Sequence, residues 1–249
     1  MINIKSKTEL EKMRIAGRIT GGAIEAAGRS IRAGMTTKEL DKVIHDYIVS
    51  HGAKPSFLGY GGFPGSACIS INDEVIHGIP GHRKICEGDI VSVDVGAYIN
   101  GYHGDSCKTF AVGQISDDAA RLMKITEESL YKGIEQAVVG NRLGDISHAV
   151  EEHVVSNGMA VVKKYVGHGV GRELHESPEV PNFGKAGHGP RLVAGMVIAI
   201  EPMVNLVGED VKVLPDGWTV LTKSGSLSAH FEHTVAITPD GPVILTNPN

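Results

Sequence analysis

Residues 34 to 52, GMTTKELDKVIHDYIVSHG, can be laid on residues 140 to 158, GNRLGDISHAVEEHVVSNG, with an offset of 106 at both ends. Further along, GDIVSVD, ending at Asp94, lies on GMVIAIE, ending at Glu201, with an offset of 107 for both Gly88/Gly195 and Asp94/Glu201. Helix–strand units all look somewhat alike, but nearly equal offsets at separate places favour an internal duplication. Such a chain is constrained to two similar halves, about 1–114 and 115–249. We expect one unit of helices and strands, a single domain over 1–249, with pseudo-twofold symmetry and a site at the seam. A carboxylate matches a carboxylate across the repeat, Asp94 against Glu201.

The helices announce themselves by their caps. Thr8 with Glu11, and Thr36 with Glu39, have capping-box spacing ahead of apolar residues at helical period, which predicts helices over 8–31 and 36–51. Ser116-Asp117-Asp118 opens a third periodic run through Leu122, Ile125, Leu130 and Ile134, and Ile146, Val150 and Val154 mark a fourth helix ending at Gly158. Strand-like runs follow each pair: Asp89 to Val95, Val197 to Glu201 and Phe231 to Ile237.

Composition excludes several classes. A net charge of −5 with 21% charged residues does not suit a nucleic-acid binder. Residues 1–42 carry nine Lys/Arg against five Asp/Glu; a ribosome-facing patch is one reading of this, a solvated helical face the favoured one. Three cysteines, Cys68, Cys86 and Cys107, form no C-x-x-C pair, so neither a disulfide framework nor a zinc ribbon is indicated. Charges in the first ten residues, and Glu201-Pro202 inside the richest apolar stretch, argue against a signal peptide or membrane span, and a cytoplasmic protein is expected.

The chemistry lies in the acidic residues. Asn100-Gly101 between strand-like runs is a strong hairpin signal; with a two-residue loop, Gly96 lies opposite Asp105 and Asp94 opposite Cys107. Period-2 alternation then points Asp94 and Asp105 to one face as diagonal neighbours, able to share cations. Glu201 ends an apolar strand and Glu232 sits in another, where an unpaired carboxylate costs several kcal/mol unless protonated or matched by a cation. His168 stands in Gly-His-Gly-Val-Gly, and His175 follows seven residues later. Singly, each of these has an ordinary reading as a solvated acid or a hydrogen-bonded histidine. Together, four carboxylates on apolar strands of both halves suggest a binuclear metal centre. Oxygen-rich ligands with one imidazole suit Mn, Fe, Co or Zn. Gly59 to Pro64 is no dinucleotide fingerprint, and His168 to His175 is not H-E-x-x-H.

The segments GYGGFPGSACISINDEVIHGIP, VDVGAYINGYHGDSCKTF, GHGVGRELHE, AIEPMV and SAHFEHTVAIT strongly resemble type I methionine aminopeptidases over essentially the whole chain, in the bacterial form without a zinc-finger extension. The resemblance implies the α+β pita-bread fold (creatinase/aminopeptidase) of the M24 metallopeptidases: a curved antiparallel sheet covered by helices, with an internal pseudo-twofold repeat. It implies removal of initiator methionine from nascent chains when the second residue is small. Two divalent ions (Co, Mn, Fe or Zn) would be held by Asp94, Asp105, His168, Glu201 and Glu232: Asp94 and Asp105 chelating one, Asp105 and Glu232 bridging, His168 and Glu201 completing the other. A water activated between the metals would attack, Glu201 would move its proton, and His77 and His175 would contact the substrate amide from outside the metal shell.

By the same resemblance the methionine side chain would sit among Tyr60, Phe63, Cys68, His77 and Trp218, where sulfur–aromatic contacts of about 0.3 to 1.5 kcal/mol are available. The chain departs from the common pattern at Phe57, where a small cysteine is frequent, and at Leu174, where Phe is frequent. A monomer acting on N-terminal Met peptides, without membrane or sequence-specific nucleic-acid partners, is expected. Two alternatives remain. Proline-specific peptidases of the same fold share the metal ligands but typically carry an extra N-terminal domain, for which a helix starting near Thr8 leaves no room. A non-catalytic module of this fold would be expected to lose ligands, and all five are present.

Overall fold

Ser6, not Thr8, caps the first helix. In the computed structural model, which describes residues 1–248, α1 spans Lys7–Ser30, with the Glu9 N–H donating to Ser6 Oγ and the Ser6 N–H donating to the Glu9 carboxylate. Ser6-x-x-Glu9 and Thr8-x-x-Glu11 both have the box spacing. Glu9 also accepts from the Tyr102 hydroxyl (2.7 Å) and from Arg172 (3.1 Å), so distant partners select the earlier box. Two other helices start where their caps predict, α2 Thr37–Ser50 behind Thr36 and α3 Asp117–Glu135 behind Ser116, while α4 Leu143–Ser156, expected from its apolar period alone, is opened by the Arg142 N–H donating to Asp145 and ends two residues before Gly158.

The strands in chain order are β1 Lys54–Pro55, β2 Ala67–Ile71, β3 Glu74–Ile76, β4 Ile90–Ile99, β5 Tyr102–Ala111, β6 Ala160–Val161, β7 Gly167–Gly169 and β8 Glu176–Val180. There follow β9 Val197–Ile200, β10 Met203–Asn205, β11 Val211–Val213, β12 Val220–Thr222, β13 Ser228–His230, β14 Glu232–Thr238 and β15 Gly241–Ile244. Nine of them form one antiparallel sheet in the order β1-β4-β5-β14-β9-β7-β8, with β2 also on β4 and β15 also on β14. The order reads alike outward from the central β5–β14 pair: β4 flanks β5, and β9 flanks β14. Two three-stranded sheets, β13-β10-β6 and β11-β12-β3, adjoin it.

Matched positions recur in the two halves. Isolated bridges join Thr36 to Lys84 and Arg142 to Arg191, again 106 and 107 residues apart. Gly88 and Gly195 both take positive φ, 88° and 90°, ahead of β4 and β9; at Gly195 a side chain would collide with the Lys5 carbonyl oxygen at 2.6 Å. Alternation along β4 sends Val91, Val93 and Val95 into an apolar cluster with Ala23, Leu40 and Ile44 of α1 and α2. Leu122, Leu130, Ile146 and Val150 of α3 and α4 pack on Ile198, Ile200 and Val235 in the same way. Burying each such side chain contributes about 1.5–3 kcal/mol. The helices thus cover one face of the sheet, and the residues between the valines, Ser92, Asp94 and Gly96, point to the other. No helix among the described residues is long and apolar enough to cross a membrane.

Candidate metal centre

Asn100 and Gly101 both have positive φ, 55° and 84°, as a two-residue type I′ loop requires. The register follows as the sequence predicts: Gly96 opposite Asp105, Asp94 opposite Cys107. On the far side of β5, Cys107 is paired with Glu232. Directly opposed residues share a face, so Asp94, Cys107 and Glu232 form a row across three strands, with Asp105 one step along. From the other half, β7 brings His168 and the end of β9 brings Glu201.

The five side chains meet. One donor atom each from Asp105, His168 and Glu232 lies within 4.8 Å of the others. His168 Nε2 is 3.7 Å from Asp105 Oδ2 and 3.4 Å from Glu201 Oε1, and Asp94 lines the same cavity. Asp94 Oδ1, Asp105 Oδ1 and Glu232 Oε1 are buried without a hydrogen-bond partner. Burial raises all four carboxyls, Asp105 to about 7 and the others well above their ordinary range; the Asp105 charge further raises Asp94, Glu201 and Glu232. Burial lowers His168 to about 3, leaving it neutral. The His168 Nδ1–H donates to the Gly169 carbonyl at 2.9 Å, which assigns the proton to Nδ1 and leaves the Nε2 lone pair facing the carboxylates. Orphaned carboxylate oxygens around a free imidazole nitrogen fit a first-row divalent cation.

This arrangement dictates how metal-free protein responds to pH. A carboxyl raised in the folded state stabilises fully below its unfolded pKa, 3.8 for Asp, and that stability is lost as pH rises through the folded value, about 7 for Asp105. The lowered histidines work in the opposite direction while unfolded histidine titrates near about 6.5, and only above about pH 7.5 are they neutral in both states and add no slope. Thermal unfolding in chelator should therefore show a midpoint falling between about pH 7.5 and 8.5, and saturating Mn²⁺ should flatten the curve. A flat profile in chelator would count against four clustered, buried carboxylates.

Above the cluster lies a cavity of about 370 Å³ lined by every residue the sequence nominates for it: Phe57, Tyr60, Phe63, Cys68, His77, His175 and Trp218. Phe63 meets Trp218 edge-on at 5.2 Å between centroids, and Phe57, Phe63, Cys68 and Leu174 form one apolar cluster. Phe57 and Leu174, the two positions that depart from the common pattern, thus belong to the same cluster. His175 sits at the open rim; its Nδ1 shares a 2.8 Å hydrogen bond with the Tyr60 hydroxyl, and its ring centroid is 4.1 Å from that of His168. Surrounding protein lowers His175, and burial lowers His77 to about 4. His77 is held at φ 58°, a conformation unusual for a residue with a side chain.

The sequence reading misses His230 and Tyr165, and it places Cys107 opposite Asp94 without its second neighbour, Glu232. His230 is buried, its Nε2 without a hydrogen-bond partner and 3.8 Å from Glu201 Oε2. Cys107 lies between Asp94 and Glu232, and Tyr165 meets His77 edge-on at 5.9 Å. Alternation offered a signal for His230, two residues from Glu232; the other two depend on non-local pairing.

A sheet of this topology, with a carboxylate–imidazole cluster at its seam, defines a class. The chain belongs to metallopeptidase family M24, whose model matches residues 11–239. Within that family it groups with methionine aminopeptidases. That of Clostridium acetobutylicum is 57% identical over 247 residues, covering 99% of each chain. The crystal structure of the enzyme from Thermotoga maritima superposes with a TM-score of 0.97 at 46% identity, covering 99% of both. A prolidase from Pyrococcus horikoshii is more distant: TM-score 0.81 and 26% identity, with 99% of this chain matching 64% of that one.

Proposed function

We propose that the protein removes the initiator methionine from nascent chains whose second residue is small. The observation that carries this reading is a single cavity with an aromatic and thiol-lined apolar pocket above a carboxylate–imidazole floor. Methionine fits the pocket and hydrolysis fits the floor. Full-length identity to methionine aminopeptidases supports the same activity.

Asp94, Asp105, His168, Glu201 and Glu232 would hold two divalent ions, Mn, Fe, Co or Zn. When bound, such ions polarise the scissile carbonyl and lower the pKa of water, so no Ser or Cys nucleophile is required. Glu201 is divided in its duties. Oε1 faces His168 on the ligand side, while Oε2, towards His230, is the atom that takes the attacking water's proton and delivers it to the leaving amine. His77 and His175, neutral at pH 7, donate N–H bonds to the substrate amide and to the oxyanion that develops from it. Phe63, Trp218 and Cys68 exclude water and contact the thioether. We read 1–249 as one catalytic domain of two pseudo-repeats, supported by the matched bridges and the symmetric strand order.

The test is purified protein with Mn²⁺ or Co²⁺ on Met-Ala-Ser, Met-Ile-Ser and X-Pro peptides. Met-Ala-Ser should release methionine. Met-Ile-Ser should be slower by about 10²-fold, because a branched second residue displaces the carbonyl and a misplacement of about 1 Å costs that much. Comparable cleavage of X-Pro peptides would overturn the reading in favour of a proline-specific peptidase.

A further inference from the structure

The turn that carries His175 is tied to a segment far away in sequence. Glu176 Oε1 accepts the backbone N–H groups of Arg172 (2.9 Å) and Glu173 (3.4 Å), so its carboxylate closes the turn Gly171–Glu176 from inside. Its other oxygen, Oε2, accepts from Lys5 Nζ at 2.5 Å and from Asn3 Nδ2 at 3.1 Å. The Lys5 and Glu176 side chains are only 5% and 6% exposed. Burial alone would raise the Glu176 carboxyl, yet Lys5 and Asn3 hold it below its ordinary value.

Two glycines make room for this tie. A side chain at Gly171 would collide with the Glu176 carboxylate, and one at Gly195 with the backbone of Lys5, whose N–H donates to the Gly195 carbonyl at 2.7 Å. A second link runs parallel: Arg172 reaches Glu9 Oε1 (3.1 Å) and stacks over the Tyr102 ring at 5.0 Å, and the His103 N–H donates to the Gly171 carbonyl at 2.9 Å. The turn is therefore clamped on the side away from the cavity, while on the cavity side His175 has one polar anchor, the Tyr60 hydroxyl.

The geometry points to Lys5 as a positioning residue for the reaction: through Glu176 it fixes the turn that presents the His175 imidazole to the substrate amide. This rests on the role proposed above for His175. Lys5 lines no part of the cavity, so it acts only through the turn. Removing its charge leaves Glu176 buried and unpaired, which favours rotation of the carboxylate out of the turn and frees the Arg172 and Glu173 amides. A shift of about 1 Å in His175 is enough to slow a step that depends on its N–H.

The test is a double-mutant cycle on metal-loaded protein with Met-Ala-Ser, with thermal unfolding and metal content recorded for each variant. Lys5→Met should lower kcat about tenfold or more while KM changes less than about threefold, and amide exchange at Arg172 and Glu173 should quicken. In a His175→Ala background, Lys5→Met should cost less than about twofold further. The same loss in both backgrounds, or unchanged kcat in Lys5→Met alone, would overturn the assignment while leaving the His175 role intact. Wild-type turnover in His175→Ala alone would instead overturn the role of His175. Should Lys5→Met fail to fold, Glu176→Gln takes its place in the cycle, since it removes the ion pair from the turn side and keeps an acceptor for the two amides.

Discussion

Glu201→Gln is expected to lower turnover by at least about 10²-fold in protein that still holds its metal. Glutamine preserves the size of the side chain, one ligating oxygen and the surroundings, including the Asn182 side chain that donates to the Glu201 backbone carbonyl at 2.9 Å. What it removes is a basic oxygen at the position of Oε2. A misprotonated general acid–base typically costs 10² to 10⁴ in rate. Pre-steady-state turnover of Met-Ala-Ser, normalised to metal content, measures the effect. Near-normal rates in metal-saturated protein would show that another group, such as His230 beside Oε2, handles the proton.

The second large effect is expected at His175. Its ring stands 4.1 Å from that of His168, yet its Nδ1 is engaged by Tyr60 and the ring lies at the rim, outside the group of donors formed by Asp105, His168 and Glu232. His175→Ala should therefore leave metal stoichiometry unchanged while kcat falls about 10²- to 10³-fold, the usual cost of losing one donor to a developing oxyanion. Elemental analysis separates the alternatives: a variant that loses an ion along with its activity would place His175 among the ligands.

The four carboxylates of the candidate site were legible in local rules, whereas the pocket residues and the role of each side chain were legible only through the resemblance to methionine aminopeptidases. Asn100-Gly101 determined the hairpin loop, and the loop determined which residues face Asp105 and Asp94. The repeat placed Glu201 where Asp94 has its counterpart. What escaped was decided at a distance. The choice of Ser6 over Thr8 as the first cap depends on Tyr102 and Arg172, which approach Glu9 only in the folded chain. The place of Cys107 between two carboxylates depends on the pairing of β5 with β14, residues more than a hundred apart. Lys5 and Glu176 are two charged residues among many until the fold buries them together. His230 is a different case, since alternation from Glu232 pointed to it, but the break at Phe231 between β13 and β14 hides the run.

The symmetric strand order has a consequence for the direction in which a peptide can be read. Two identical subunits about a twofold axis can offer a ligand only identical ends, so a substrate would bind equally well either way round. One chain carrying both halves escapes that limit. Here the first half lines the cavity with Asp94, Asp105 and His77, while the second lines it with His168, His175, Glu201 and Glu232, so the two like halves present unequal sets of imidazoles. Unequal furnishing of two like halves is what gives the groove a polarity, and polarity is what an enzyme needs in order to tell the beginning of a polypeptide from its middle.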